Sequence, residues 1–131
     1  MSHAMPKPLL LLVDDEPQIR AFLRRSLGEH LRVVEAGNGE EALLQIQRER
    51  PDLVVMDLEM PVMDGLVACT EMRKLPVMAG IPIVALTGYP DDSIVPRMKK
   101  AGFSFFVKKD GDAKHFVAKV LELANIQEDH S

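Results

Sequence analysis

Leu9-Leu10-Leu11-Leu12-Val13-Asp14-Asp15-Glu16-Pro17 decides the fold, because five consecutive apolar residues run straight into three acids and a proline. So short a run, ended so abruptly, fits a strand buried on both faces and is far too short to cross a bilayer. Beyond it Ile19, Phe22, Leu23, Ser26 and Leu27 recur on one helical face before Gly28. Pro17 suits the first turn of that helix, where a missing N–H has no intrahelical acceptor to lose.

The same alternation continues along the chain. Val33–Glu35, Leu53–Met56, Ile83–Leu86 and Phe105–Val107 repeat the short apolar run, which predicts five buried strands in all. A second helix starts from Asn38 as N-cap, carries Glu40 and Glu41 in its first turn, turns Ala42, Leu43 and Ile46 inward and stops before Pro51. A third runs from about Asp64 towards Lys74, followed by Leu75, Pro76 and an Ala79-Gly80 turn. The fourth begins near Asp91 to Ser93 and is short, since Pro96 is tolerated only in a first turn. The last spans about Asp112 to Ala124, with Phe116, Val117, Val120, Leu121 and Ala124 at helical spacing.

Strands alternating with helices predict an α/β fold, a doubly wound parallel sheet with right-handed crossovers and helices on both faces. With five strands and five helices the flavodoxin-like order 2-1-3-4-5 is the natural choice. One domain over residues 6–126 is expected, with a polar tail at 127–131. Met1 to Met5, which include His3 and a second methionine, read as an expression remnant outside the fold.

A chain of 131 residues, 47% hydrophobic and 27% charged, has ordinary globular composition. Its formal net charge of -4 offers no basic surface for a phosphate backbone, so direct nucleic-acid binding is not expected. Cys69 stands alone, which excludes an intramolecular disulfide and a cysteine-based metal site. No membrane span is expected, and the expected setting is soluble and cytoplasmic. Met56, Met60, Met63 and Met72 read as packing, and His30, His115 and His130 as surface.

In this sheet order ligands gather beyond the carboxyl ends of the first and third strands. The chain places Asp14 and Asp15 after the first strand, Asp57 after the third, Thr87 after the fourth and Lys108-Lys109 after the fifth. Glu35-Ala36 ends the second strand at the sheet edge and falls outside the cluster. Carboxylates brought together repel, and each has a raised pKa unless a cation or donors relieve it. Mg2+ meets that need, as a hard ion that takes carboxylate and carbonyl oxygens, and the absence of histidine or cysteine from the set disfavours zinc. One aspartate oxygen can then attack phosphorus to give an acyl phosphate, while a lysine and a threonine stabilise the equatorial oxygens. Strand alternation allows only one of Lys108 and Lys109 to face the cluster readily.

Four segments carry a resemblance: LLVDDEP at Leu11 to Pro17, DLVVMDLEMPVMDG at Asp52 to Gly65, IVALTG at Ile83 to Gly88 and AGFSFFVKK at Ala101 to Lys109. From about Pro8 to Ala124 the chain resembles the receiver domain of bacterial-type two-component response regulators. The resemblance implies that Asp57 is phosphorylated, that Asp15 is a direct Mg2+ ligand and Asp14 a water-mediated one, and that the backbone carbonyl of Glu59 is a further ligand. Thr87 and Lys109 would contact the phosphoryl group, since a gapless alignment from Ala101-Gly102 selects Lys109 and makes Phe106 the switch aromatic. The family usually has proline after its lysine. Asp110 stands there in this chain, which weakens the expectation of the family's cis peptide.

On phosphorylation Thr87 would turn towards Asp57 and Phe106 would fill the space it leaves, altering a face of the fourth helix, fifth strand and fifth helix that includes Lys100, Phe105 and Lys108. Glu59 and Tyr89 fall where family side chains control water access to the acyl phosphate, with a solvated turn residue and a half-buried loop aromatic as the equal alternative. The implied partners are a histidine kinase or histidine phosphotransfer protein, and an effector or a fused output domain. Family members often pair through the fourth and fifth helices when activated, which leaves a phosphorylation-dependent dimer open. Competing readings are a phosphorylation-independent pseudo-receiver, a small Mg2+-dependent phosphohydrolase that would turn over external phosphomonoesters, and, last, a flavin protein, whose phosphate DDEP would repel.

Overall fold

Each short apolar run becomes a strand and each amphipathic stretch a helix. The computed structural model describes residues 7–88, 90–109 and 113–128, with side chains in the last segment described at 115–124. In chain order the elements are β1 (Leu9–Val13), α1 (Pro17–Leu27), β2 (Arg32–Ala36), α2 (Gly39–Arg48), β3 (Leu53–Asp57), α3 (Gly65–Arg73), a 3-10 turn (Pro76–Met78), β4 (Ile83–Thr87), α4 (Ile94–Ala101), β5 (Phe105–Lys108) and α5 (Ala113–Glu128). All strand pairings are parallel and the order is β2-β1-β3-β4-β5, as expected from the sequence.

Strand alternation splits the core in two. Leu11, Val13, Val54, Met56, Ile83 and Ala85 point to the side covered by α2, α3 and α4, where Ala42, Ile46, Ala68, Met72 and Met98 meet them. Leu10, Leu12, Leu53, Val55, Val84 and Leu86 point to the opposite side, against Leu23 and Leu27 of α1 and Phe116 and Val120 of α5. Burial on both faces is why the three central strands read as continuous apolar runs rather than as alternating ones. Met56 and Met72 lie in this core, with Met60 and Met63 packed against it.

Helix starts follow local chemistry. Asn38 Oδ1 accepts the Glu41 N–H at 2.9 Å, and Asp64 Oδ1 accepts the Val67 N–H at 2.9 Å, so α2 and α3 have side-chain caps. Asp91 Oδ1 accepts from the N–H groups of Ser93 and Ile94 at 2.9 and 3.0 Å, which starts α4 with Pro96 inside its first turn.

Three expectations need correction. The strands are not all buried: in the edge strands, covered incompletely, only Ala36 of β2 and Val107 of β5 are, with Phe105 47% and Phe106 44% exposed. Phe22 is 36% exposed, since Leu23 and Leu27, four apart, carry the inward stripe of α1 and leave Phe22 at its rim. Helix α5 runs on through Glu128, into the stretch read as a polar tail, and no glycine or proline stands there to stop it. Among the described residues no helix is long and apolar enough to cross a membrane.

Candidate functional site

The sheet order brings the ends of β1, β3, β4 and β5 to one rim. Asp14 follows β1 directly and is fully buried. Its N–H donates to Ala36 O at 3.1 Å, its Oδ1 accepts the Glu16 N–H at 2.8 Å, and its Oδ2 accepts from Lys109 Nζ at 3.1 Å. Asp57, the last residue of β3, is 5% exposed. Its Oδ1 accepts the Glu59 N–H and its Oδ2 accepts from Lys109 Nζ, both at 3.1 Å. Thr87 ends β4 and is buried, and its carbonyl accepts the Lys109 N–H at 2.7 Å.

The two lysines are now separated. Lys108 stands in register with Thr87 and is exposed, while Lys109, one residue further, sends its ammonium into the cluster and also meets Glu16 Oε1 at 3.0 Å. Single-residue alternation of side chains accounts for the difference.

Carboxylate oxygens of Asp14, Asp15, Glu16 and Asp57 lie within 4.8 Å of one another. Asp15, Glu16 and Asp57 border a cleft of about 530 Å³ that is also lined by Ile19, Leu58, Glu59, Thr87, Gly88 and Lys109. Burial pushes the Asp57 carboxyl above the usual carboxylate range; the Glu59 N–H and Lys109 oppose this, and Asp14 adds repulsion. Burial raises Asp14 likewise, against the Glu16 N–H and Lys109. For Lys109 burial works against its charge, but contacts with Glu16, Asp14 and Asp57 prevail and hold it protonated. One ammonium therefore leaves the acids short of compensation. An all-oxygen donor set with surplus negative charge fits Mg2+ and has nothing in it for a soft metal.

Asp14, Asp15, Asp57, Thr87 and Lys109 thus converge, with Glu59 at the cleft edge. Phe106 does not reach the cleft and instead borders a hollow with Val95, Met98, Lys99 and Phe105. Lys100 departs from the expected readout face, lining a groove between α3 and α4 with Leu66, Val67 and Thr70. Tyr89 and Asp110 lie outside the described residues. Two residues were missed. Glu16 was legible as the third acid of its run, whereas Arg20, whose Nη1 donates to the Asp14 carbonyl at 2.8 Å, left no signal beyond being one more helix arginine.

A buried aspartate at a strand end, among carboxylates suited to a hard cation and with an ammonium and a threonine beside it, defines a phosphoacceptor-type domain on a flavodoxin-like sheet. Residues 10–121 match the response regulator receiver domain, and the chain belongs to that family. Protein-glutamate methylesterase/protein-glutamine glutaminase 1 of Carboxydothermus hydrogenoformans is 36% identical over 125 residues, which cover 93% of this chain and 36% of that protein. An uncharacterised 14.6 kDa protein of Leptolyngbya boryana is 35% identical over 114 residues, covering 86% of this chain and 87% of the relative. The chemotaxis response regulator CheY4 of Vibrio cholerae superposes with a TM-score of 0.83 at 27% identity, covering 90% of this chain and 98% of that one. The chain spans under half the length of several curated relatives. It is a phosphoacceptor receiver domain of the two-component type, a signalling class that is generally non-enzymatic and that uses Mg2+ and phosphoaspartate. The phosphohydrolase and phosphorylation-independent readings are not favoured.

Proposed function

We propose that Asp57 is the residue phosphorylated, with Asp14, Asp15 and the Glu59 carbonyl holding Mg2+ beside it, and Thr87 and Lys109 attending the transferred group. The observation that carries this reading is Lys109 Nζ standing 3.1 Å from oxygens of both Asp57 and Asp14. A cation so placed can follow charge as it moves from carboxylate to phosphoryl oxygens.

The step is a displacement at phosphorus. An Asp57 carboxylate oxygen forms the new O–P bond while the bond from phosphorus to the donor's nitrogen or oxygen breaks, and its electron pair leaves with the donor. Lys109 and the Thr87 hydroxyl stabilise the equatorial oxygens, and the Glu59 N–H holds the other Asp57 oxygen in place. Mg2+ held by Asp14, Asp15 and the Glu59 carbonyl would supply neutralisation of the negative charge gathered there. The raised pKa of Asp57 marks a carboxylate poorly compensated on its own, which suits a nucleophile that works with a metal.

Thr87 and Phe106 form the switch. Thr87 turns towards the phosphoryl group, and Phe106, which leaves 44% of its surface in solvent, moves inward and buries apolar area worth on the order of 1 kcal/mol. The donor is a histidine kinase or histidine phosphotransfer protein in the cytoplasm, and the altered surface is read by an effector or an attached output domain.

Intact mass after incubation with Mg2+ and acetyl phosphate, sampled early, tests the assignment. The parent gains one phosphoryl group only with the metal, and Asp57→Asn gains none. No adduct on folded, metal-loaded parent protein, or an unchanged adduct on Asp57→Asn, overturns it.

A further inference from the structure

Asp14 is pinned at four points, and three of them belong to the arrangement already described: its N–H on Ala36, its Oδ1 on the Glu16 N–H and its Oδ2 on Lys109. The fourth is its backbone carbonyl, which accepts from Arg20 Nη1 at 2.8 Å. That carbonyl belongs to the peptide joining Asp14 to Asp15, so its direction sets where the Asp15 backbone, and with it the Asp15 carboxylate, enters the cleft.

The guanidinium is itself held. Arg20 Nε lies 3.2 Å from Glu35 Oε1 at the end of β2, as an ion pair without hydrogen-bond alignment, and Arg24 Nε donates to the other Glu35 oxygen at 2.6 Å. Arg20 is the inner member of this trio: its side chain is 22% exposed, against 56% for Arg24. Gly37 lies close beside it, where a Cβ would stand 3.0 Å from Arg20 Nη1 and press on the guanidinium. Glu35, at the sheet edge and outside the acid cluster, is thereby linked to it through one side chain.

We infer that Arg20 is a positioning residue for the cation site: by fixing the Asp14 carbonyl, with Glu35 as its anchor, it holds the Asp14-Asp15 peptide in the orientation that receives Mg2+. This rests on the proposed function, in that Asp14 and Asp15 are taken as metal-holding residues.

Charge alone predicts the opposite effect. Arg20 is a cation one hydrogen bond from the backbone of an acid cluster, so removing it should raise the affinity of that cluster for a divalent cation. A positioning role predicts a fall, because a freed carbonyl lets the carboxylates lose their convergence. The sign therefore separates the two. Arg24→Ala is the control, as it removes an arginine from the same Glu35 without touching Asp14.

Mg2+ binding is measured by calorimetric titration of the full chain, on the parent, Arg20→Ala, Arg20→Lys and Arg24→Ala. Arg20→Ala is expected to weaken binding about three- to tenfold, Arg20→Lys to recover part of the loss through its single ammonium, and Arg24→Ala to stay within twofold of the parent. In acetyl phosphate labelling, Arg20→Ala should raise the Mg2+ concentration at half-maximal rate by a similar factor, with the rate at saturating Mg2+ within about twofold of the parent. Tighter or unchanged Mg2+ binding in folded Arg20→Ala, or equal weakening in Arg24→Ala, overturns the inference while leaving the assignment of Asp57 intact. A parent that binds no Mg2+ overturns both.

Discussion

Asp57 and Asp14 are costly residues in the absence of a cation, and this gives their substitutions a definite direction. Burial holds both carboxyls above their ordinary range, so the folded protein binds protons more readily than the unfolded chain. A raised acid leaves stability intact below the unfolded value near 3.8 and lowers it as pH climbs towards the folded value. Without metal, Asp57→Asn should therefore match the parent in strong acid and exceed it at neutral pH in urea denaturation. A variant less stable than the parent at pH 7 would show that the Lys109 contact outweighs desolvation. The lysines give a second contrast: Lys109→Ala should slow labelling by acetyl phosphate about a hundredfold, and Lys108→Ala should label at the parent's rate within about twofold. Equal slowing by both would contradict the inward placement of Lys109. Asp14, Asp57 and Thr87 were legible because strand ends are legible and the sheet order says which ends meet. The choice between Lys108 and Lys109 rested on register, and Arg20 works through a backbone carbonyl that no side-chain motif records.

At the scale of elements, Gly65 joins the frame to the chemistry. A Cβ on it would run into the backbone carbonyl of Asp57 and stand 2.8 Å from Leu58 Cα, so the first turn of α3 sits directly on the strand end that carries Asp57, the proposed acceptor. Gly65 N–H also donates to Leu58 O at 2.9 Å, which fixes that closeness. Since the obstacle is backbone, Gly65→Ala must push α3 or the Asp57 loop away. We expect a loss of roughly 1–3 kcal/mol in denaturant unfolding and slower phosphoryl uptake than Asp64→Ala, whose lost cap costs about 1 kcal/mol but leaves the approach open. If Gly65→Ala labels as fast as Asp64→Ala, the packing does not control the acceptor. The central strands were legible because burial on both faces leaves an unbroken apolar run. β5 was misjudged for the converse reason: Phe105-Phe106-Val107 is just as apolar, and only its edge position exposes the two phenylalanines. The end of α5 was misplaced because polar residues without glycine or proline can continue a helix as readily as leave it.

For the whole molecule, cation binding and folding are one linked equilibrium. Four carboxylates converge only when the ends of separate elements are brought together, so the unfolded chain has no comparable site and Mg2+ held there as proposed would stabilise the native state by mass action. At a hundred times the dissociation constant this amounts to about 2.7 kcal/mol, or roughly 10 °C in Tm for a domain of this size. The dependence on pH follows from Asp14 and Asp57, whose raised pKa values mean that protons compete with the metal in acid. Below the folded pKa values the carboxyls are protonated, Mg2+ has little to bind and its effect on Tm is small; as pH rises through them the apo protein loses stability and the metal-bound protein regains it. Differential scanning calorimetry at fixed Mg2+ and ionic strength should show a Tm increment that grows from pH 4.5 to pH 7.5 in the parent and is at most half as large in Asp57→Asn. An increment independent of pH, or equal in the two proteins, would mean that Mg2+ binds elsewhere on the acidic surface and that the strand-end carboxylates are not its site.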